Sequence, residues 1–468
     1  MSTRRDFLVT AALGAGATLF PGRARATAPI ATAPAAPPAD PWAQVPAILA
    51  RIRPPVIPRR DFVVTAYGAR GDGRTDARPA IMAAIGAANA AGGGRVVLPA
   101  GTWWSEGPVH LKSNVELHVS EGATLRFTPD PERYLPLVLT RWEGTELYNY
   151  SPLIYAYQAN NVAITGRGTI DGNSKTTFAT WKPQQEPAQM RLREMGGNGT
   201  PVHGRVFGPG HWLRPTMIQF MGCRNVLVEG LTIVDSPFWT VHPTYCQNVI
   251  ARDLRINSRN LNNDGVDPDS SVDVLIERCV FNTGDDGVAV KSGRDADAWR
   301  VGQPTENVIV RNCEMNSDAN GLVIGSEMSG GVRNVFMENC RIGNATNSGI
   351  YFKSNLDRGG SVENIHIRNV QVGDAGTFIH FTTEYHGYRG GNFPTRFQNV
   401  SLDGITCRSA KRGIYAVGVP QAVLRDITLR DITVARALQS HDIRNVHNFQ
   451  LQRVLINGAA VELPGGRS

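Results

Sequence analysis

The sequence predicts an all-β chain that folds as a parallel β-helix, with a helix capping its N-terminal end. Three observations lead to this fold class. Short strand-like segments that begin with Asn and Val or Ile recur along most of the 468 residues, their spacing is irregular, and only residues 77–91 show a helical period. An α/β fold would need a helical period between successive strands, so it is disfavoured.

Residues 1–26 have the pattern of a twin-arginine export signal. Arg4 and Arg5 precede an apolar run to about Phe20, and Ala24 and Ala26 form a small-x-small cleavage site. The run is shorter than the roughly 18–20 apolar residues of a membrane span, and no other stretch is long enough. We therefore expect a periplasmic or secreted protein without an integral membrane span.

Residues 27–60 hold nine prolines among Ala and Thr, which predicts an extended linker. A single β-helix domain is then expected over residues 61–468. The formal net charge is +7, and residues 1–60 carry nearly all of it, with eight Arg against two Asp. Bulk charge thus indicates no nucleic-acid partner.

The domain opens with a short strand, the Ala-rich helix and a second strand, separated by the glycines at 92–94. The repeat follows. Its Asn recurs at Asn114, Asn161, Asn225, Asn248, Asn307, Asn334, Asn364 and Asn399, and Asp273 fills the same slot once. Asn tolerates the left-handed conformation of a turn and can bond along a stack of identical residues. The irregular spacing between these residues is typical of coils that each contain three short strands joined by loops of variable length.

The six cysteines are expected to be buried free thiols. Cys279, Cys313 and Cys340 end the same phase of successive repeats, and stacked positions of this kind lie in the core, where Cys behaves as a small apolar residue. No CxxC or paired His supports a metal site, and no cofactor is predicted.

Two acidic runs carry the chemistry: Asp264 in one, and Asp285 with Asp286 in the other, 21 residues later. One coil of a solenoid separates them, or about 4.8 Å. Clustered carboxylates suit an inverting glycosidase, in which one group keeps its proton and others activate water. A calcium site is the alternative use, but the ligand spacing of a dedicated calcium loop is missing. We interpret Asp267 and Asp269 as turn residues.

At these residues the chain resembles the polygalacturonase family of glycoside hydrolases, family 28, from about residue 61 to the C-terminus. Asn262 to Asp264 resemble its Asn-x-Asp element, Gly284 to Asp286 its Gly-Asp-Asp element, and Lys353 the lysine of its Arg-Ile-Lys element. Segments 67–73, 213–215 and 236–243 are similar to stretches of pectin-acting or bacterial members. The resemblance implies a right-handed, pectin-lyase-like β-helix.

It also implies hydrolysis of pectic substrate with inversion. Asp285 would be the general acid, Asp264 and Asp286 would hold and deprotonate the water, and Lys353 would bind the substrate carboxylate. Two further residues are candidates for substrate contacts. Asn262 belongs to the Asn-x-Asp element, and His242 is a candidate for the cleft with a structural role equally open.

Two positions depart from the family pattern. Asn320 stands where the family has His, so proton transfer there is lost although a hydrogen bond can survive. Tyr351 replaces the Arg of Arg-Ile-Lys, which removes bidentate carboxylate binding and offers a ring to a sugar face. Both changes leave the three Asp intact and favour retained hydrolysis with a shifted substrate. Loops at 325–331 and 358–360 resemble those of exo-acting members, and a long loop over 163–215 can wall one end of a cleft.

Alternatives remain open at this point. A rhamnogalacturonan or other decorated pectin would fit the altered positions. The other two alternatives are a calcium-dependent polysaccharide lyase and a non-catalytic glycan-binding β-helix. A monomer is expected, because stacking of the coils already buries the core.

Overall fold

The computed structural model describes residues 40–463, which form a right-handed parallel β-helix. Residues 1–39, with the expected export signal and the first part of the expected linker, lie outside the described residues, as do residues 464–468. Each coil contributes strands to up to three sheets, which we call first, second and third in chain order. The predicted fold class is confirmed.

Most coils pair in parallel with the coils before and after them. The first sheet contains Asp61–Val63, Gly94–Leu98, Val115–Val119, Asn160–Gly166, Arg224–Glu229, Gln247–Arg252, Val272–Glu277 and Thr305–Arg311. The second contains Asp72–Asp76, Gly101–Ser105, Ala123–Phe127, Thr169–Asp171, Thr232–Val234, Arg255–Ser258, Val280–Thr283 and Glu314–Ser317. The third contains Val109–Leu111, Ile154–Tyr157, Ile218–Met221, Val241–Thr244, Val288–Val290 and Asn320–Gly325.

In the last coils the strands run on without a break. These long strands are Val332–Lys353, Ser361–Thr382, Arg396–Val417, Leu424–Arg444 and Val446–Ile456, and the short antiparallel strand Ala459–Ala460 follows. An antiparallel hairpin, Val138–Trp142 with Thr145–Asn149, lies outside the coils.

Helices occupy the N-terminal end and the loops. The α-helices are α1 (Val45–Arg51), α2 (Arg78–Ala90), α3 (Glu186–Gly197) and α4 (Asp295–Val301). Short 3₁₀ helices cover Pro41–Gln44, Val64–Tyr67, Pro131–Tyr134, Phe178–Trp181 and Val202–Gly204. Helix α2 buries Ile81, Ala84 and Ile85 in the main core, as expected for the capping helix. Across residues 40–463, no helix has the length and apolar character to cross a membrane.

Inward-facing side chains of all three sheets form one continuous core along the β-helix. The six cysteines are buried there as free thiols, as predicted from their repeat positions. At or near the start of the first-sheet strands from Val115 onwards, the repeat Asn has a positive φ of 54–62°. Most side-chain amides in this row donate to the Asn one coil earlier, as Asn225 does to Asn161 at 2.9 Å and Asn364 to Asn334 at 3.1 Å. The predicted ladder is therefore present.

The ladder is interrupted at Asp273, whose carboxylate has no hydrogen to donate. Residues 40–57, which we call the N-terminal strap, bind at this break. Arg51 Nη2 lies 2.8 Å from Asp273 Oδ1, and the Arg53 backbone N–H donates to Asn248 Oδ1 at 2.9 Å. The Arg53 N–H thus replaces the amide that would have donated to Asn248, and Arg51 compensates the charge of Asp273.

The strap also covers an apolar stripe on the outer face of the first sheet. Val45, Ile48 and Ile52 of the strap pack on it. The stripe consists of equivalent residues of six successive coils: Ala163, Leu227, Ile250, Leu275, Ile309 and Phe336. The expectation of an extended linker is wrong for residues 40–57, because burial of this stripe outweighs the extended tendency of a proline-rich segment.

Candidate active site

The turn from the second to the third sheet places the acidic runs side by side. Gly265 N donates to Asp286 O at 3.0 Å, and Gly287 N donates to Asn320 O at 2.9 Å, so Asp264, Asp286 and Asn320 occupy three consecutive coils. The 21-residue step therefore is one coil, as predicted. Gly284 permits the close approach of the two turns, since a Cβ there would lie 2.1 Å from Asn260 O.

These turns form the floor of a cleft of about 910 Å³. One end is walled by the hairpin and by the loop that carries α3, through Glu143, Lys182, Gln189 and Arg193. The expectation that the long loop would wall the cleft is in keeping with this geometry. At the other end, the turns of later coils leave the cleft open towards a second groove of about 680 Å³.

Asp285 is partly exposed to the cleft and is held from behind by Asn262. Asn262 Nδ2 donates to Asp285 Oδ2 at 3.1 Å, and Asn262 Oδ1 accepts a hydrogen bond from Arg214 Nη2 at 2.6 Å. The guanidinium of Arg214 is buried and also donates to Leu261 O at 2.6 Å. Burial and the neighbouring Asp286 charge raise the pKa of Asp285 to about 6. Asp285 can therefore retain a proton in weakly acidic solution.

Asp286 has a different environment, although it is the next residue. Asn320 Nδ2 donates to its Oδ1 at 2.6 Å and Lys353 Nζ donates to its Oδ2 at 2.9 Å. Burial lowers the pKa of Lys353, but the attraction of the Asp286 carboxylate is larger, so the pKa of Lys353 is raised. These two hydrogen bonds, one of them from a charged donor, stabilise Asp286 as a carboxylate anion.

Asp264 shares its surroundings with Asp267 and Lys291. Lys291 Nζ lies 3.4 Å from Asp264 Oδ2 and 3.6 Å from Asp267 Oδ1. Burial raises the pKa of Asp264 well above its ordinary value and that of Asp267 to about 8. Asp264 Oδ1 and both Asp267 oxygens are buried and have no hydrogen-bond partner within residues 40–463. One lysine does not stabilise two buried anions here, so we expect one of the two carboxyl groups to keep its proton.

Several site residues were missed from the sequence. Asp267 was interpreted as a turn residue, but it is buried beside Asp264. Lys291 is a further residue of the site, and its signal in the sequence is a lysine at the end of the buried strand Val288–Val290. Lys291 Nζ also lies 3.3 Å from Glu327 Oε2 and 4.3 Å from the ring centroid of Trp239. Glu327 additionally pairs with Arg294.

His242 does not reach the cleft, which corrects its assignment as a substrate-binding candidate. Its side chain is fully buried in the third sheet, where Nε2 lies 3.2 Å from Asp269 Oδ2 and Nδ1 lies 3.0 Å from Gln219 Nε2. Asp269 also pairs with Arg141 at 2.9 Å, so it is a buried ion-pair partner. Burial lowers the pKa of His242, and its role is structural.

Tyr351, which replaces an arginine of the family pattern, lines the cleft beside Lys353. Its ring stacks on His380 with a centroid distance of 3.9 Å and an interplanar angle of 12°. Lys353 Nζ lies 5.4 Å from the Tyr351 centroid and 5.5 Å from that of Tyr385. Among the candidates, Asn262, Asp264, Asp285, Asp286, Asn320, Tyr351 and Lys353 line the cleft.

Comparisons with known proteins agree with this geometry. The model of the family described as glycosyl hydrolases family 28 matches residues 138–454, and that of rhamnogalacturonase A/epimerase, pectate lyase-like, matches residues 62–122. A probable polygalacturonase of Vitis vinifera is 27% identical over 81% of this chain and 74% of its own length. An exo-poly-alpha-D-galacturonosidase of Dickeya chrysanthemi is 24% identical over 78% of this chain and 65% of its own length.

Among solved structures, the hyperthermoactive exopolygalacturonase from Thermotoga maritima is 41% identical to this chain, with a TM-score of 0.84. The match covers 89% of this chain and 96% of that chain. The family 28 exopolygalacturonase of Yersinia enterocolitica is 22% identical with a TM-score of 0.67 over 86% of this chain and 80% of that chain, which supports the fold alone.

Proposed function

Because this chain belongs to the glycosyl hydrolases of family 28, we propose that it hydrolyses polygalacturonate with inversion, by removing sugars from a chain end. It is a glycoside hydrolase, so family membership decides against the lyase and the non-catalytic alternatives. The observation that carries the mechanism is the contrast between two adjacent carboxyl groups. Asp285 has a raised pKa, whereas Asp286 accepts hydrogen bonds from an amide and an ammonium group.

In the proposed reaction, Asp285 donates its proton to the glycosidic oxygen as the bond from that oxygen to the anomeric carbon breaks. A water molecule attacks the anomeric carbon from the opposite face, and Asp286 accepts the proton that the water loses. Asp264 orients the water through its own carboxyl group, which Lys291 holds next to that of Asp267. Because its raised pKa favours the protonated form, Asp264 is less available to accept a proton, which narrows the role implied by the family resemblance to orienting the water.

The other cleft residues divide into two groups. Asn262 and Asn320 contact the catalytic carboxyl groups directly, so they orient Asp285 and Asp286 while their remaining surface faces the substrate. One face of the Tyr351 ring is covered by His380, so Tyr351 contacts the sugar with the part of its ring that this stack leaves free. Lys353 binds Asp286 in the free protein, and a substrate carboxylate would have to share its ammonium group.

Exo action is supported by the wall that the α3 loop and the hairpin build across one end of the cleft. It is also supported by the names of two relatives, an exopolygalacturonase and an exo-poly-alpha-D-galacturonosidase. A cleft closed at one end accepts a chain terminus, whereas an internal segment would clash with the wall.

The termini and assembly state belong to the same proposal. We infer that residues 1–26 direct twin-arginine export to the periplasm or the medium, that residues 27–39 link this signal to the strap, and that the mature enzyme is a monomer. Replacement of Arg4 and Arg5 by Lys should retain the full-length chain in the cytoplasm, and light scattering should give the mass of one chain. Export of the double variant at the wild-type level would contradict the signal.

The function is tested on purified mature protein and its Asp285→Asn variant, with polygalacturonate and rhamnogalacturonan as substrates. We expect the wild type to release mainly short galacturonate products with little loss of viscosity, and NMR of the first product to show the inverted anomer. The variant should be inactive but folded. Rapid loss of viscosity would contradict exo action, and turnover of rhamnogalacturonan alone would assign a decorated pectin as substrate.

A further inference from the structure

Eight Lys and Arg side chains line the cleft, and most of them already have a carboxylate partner. Five are paired: Arg193 with Glu143, Lys291 with Asp264, Arg294 with Glu327, Lys353 with Asp286, and Arg358 with Asp295. Within residues 40–463, the remaining three, Lys182, Lys411 and Arg412, have no carboxylate partner. They lie at opposite ends of the cleft.

This division matters for a substrate that carries one carboxylate on every sugar. A carboxylate that approaches a paired cation must compete with the buried carboxylate already bound to it. An unpaired cation gains a charge-assisted hydrogen bond without that competition. The unpaired cations therefore predict where the carboxylates of a polyuronate bind.

We propose that Lys182 binds the carboxylate of the terminal sugar at the walled end, and that Lys411 with Arg412 binds carboxylates of the sugars beyond the scissile bond. This inference rests on the proposed function and names the recognition groups at that site. On this proposal the substrate carboxylates bind mainly to these three cations and not to Lys353, which already donates a hydrogen bond to Asp286.

The position of Lys182 fits this role. It follows the 3₁₀ helix Phe178–Trp181, whose Trp181 is buried and packs against Trp212, so the backbone that carries the lysine is firmly supported. The lysine itself is only partly exposed. Burial lowers the pKa of Lys182, while the charges of Glu143 and Asp285 partly restore it. A partly desolvated ammonium group gains more from a substrate carboxylate than a fully hydrated one.

The open end is connected to the catalytic turn by strand register. Asn320 pairs with Ser348, Ser348 with Thr377, and Thr377 with Arg412, which puts Arg412 three coils further on, or about 14 Å. Arg412 is held by a hydrogen bond to Gln439 at 3.1 Å. Lys411 also lines the adjoining groove, where Arg436 adds another cation. Only substrates longer than those that fill the walled end can reach this region.

The test compares Lys182→Met and Lys411→Met with the control Lys175→Met, an exposed lysine on the same loop as Lys182. Digalacturonate and polygalacturonate serve as substrates. Lys182→Met should raise KM about 10- to 100-fold for both, as expected for loss of a charged hydrogen bond. Lys411→Met should raise KM for the polymer about tenfold more than for digalacturonate, and added salt should reduce this difference.

Methyl-esterified polygalacturonate supplies an independent readout. Its neutral ester groups gain little from an ammonium group, so the preference of the wild type for the acid form should shrink in Lys182→Met. If both variants have the KM values of Lys175→Met on all substrates, the inference is wrong.

A binding measurement separates this inference from the proposed function. Calorimetry of digalacturonate with Asp285→Asn, with and without Lys182→Met, needs no turnover. Binding that depends on Lys182 in a protein whose wild type hydrolyses neither polymer would refute the proposed function and support this inference. Equal affinity of the two proteins, or no binding to either, would overturn the inference.

Discussion

Asp285→Asn should make the protein more stable at neutral pH while abolishing its activity. The reason is the raised pKa of Asp285, about 6 against an ordinary 3.8, which burial and the Asp286 charge produce. Below pH 3.8 the carboxyl group is protonated in both the folded and the unfolded chain, so it contributes no difference. As the pH rises towards 6, the unfolded chain releases this proton and the folded chain holds it, so the free energy of unfolding falls.

Above pH 6 Asp285 is ionised in both the folded and the unfolded chain, and the loss of unfolding free energy has reached its full size. The difference in pKa corresponds to ~3 kcal/mol, and partial exposure of Asp285 makes this an upper bound. Asparagine has nearly the same shape and no charge, so the variant avoids the penalty. For about 420 ordered residues, 1 kcal/mol moves Tm by about 1 °C. We therefore expect Tm of Asp285→Asn to exceed that of the wild type by up to about 3 °C at pH 7.

The assay is thermal unfolding of both proteins at pH 4, 5, 6 and 7 in buffers of equal ionic strength. Asp318→Asn is the control, because this exposed carboxylate at the cleft rim is paired with Arg259 at the surface. The excess Tm of Asp285→Asn should grow between pH 4 and 6 and then level off, with no such trend in the control. An excess that is independent of pH, or a variant less stable than the wild type at pH 7, would refute the reasoning.

Three further predictions follow from the same contacts. The kcat/KM of the wild type should fall about tenfold per pH unit above about pH 6, because Asp285 of the free protein then loses the proton that it donates; a flat kcat/KM profile from pH 6 to 8 would contradict its role as the acid. Asn320→Ala should lower kcat about 10- to 100-fold with little change in KM, because a charged hydrogen bond to Asp286 is lost, and an unchanged kcat would show that Lys353 alone suffices. Ile48→Asp should lower Tm by about 2–3 °C at unchanged kcat, since it places a charge on the apolar stripe, whereas the exposed Arg53→Asp is the matched control; equal Tm values for the two would show that the strap adds no stability.

The regular part of this molecule could be read from the sequence because one residue type marks each coil. The Asn of the repeat has to adopt a positive φ and bond to its neighbour, and both requirements leave a visible signature at a fixed phase. The separation of Asp264 and Asp285 then followed by counting residues. The repeat pattern thus predicts the contacts between each coil and the next.

Contacts between distant segments could not be found in this way. Lys291 belongs to the site because a buried strand places its ammonium group next to Asp264 and Asp267 of one neighbouring coil and Glu327 of another. The strap, in contrast, has a signal in the sequence. The residue after Asn-Val or its equivalent is apolar from Ala163 to Phe336 and polar at Glu116 and His366, which shows that something covers those six coils.

The strap also affects the order of events in folding and unfolding. A stack of coils that contact only their neighbours can melt from either end, one coil at a time. The strap bridges Arg51 to Asp273 and Trp42 to Phe336, whose rings lie 5.4 Å apart, so it joins coils that are formed far apart along the chain. It can dock only after the last of these coils has formed, and it then couples the opening of one coil to the opening of the others. The catalytic turns lie on the coils that it spans, so their geometry is protected from fraying that starts at the ends.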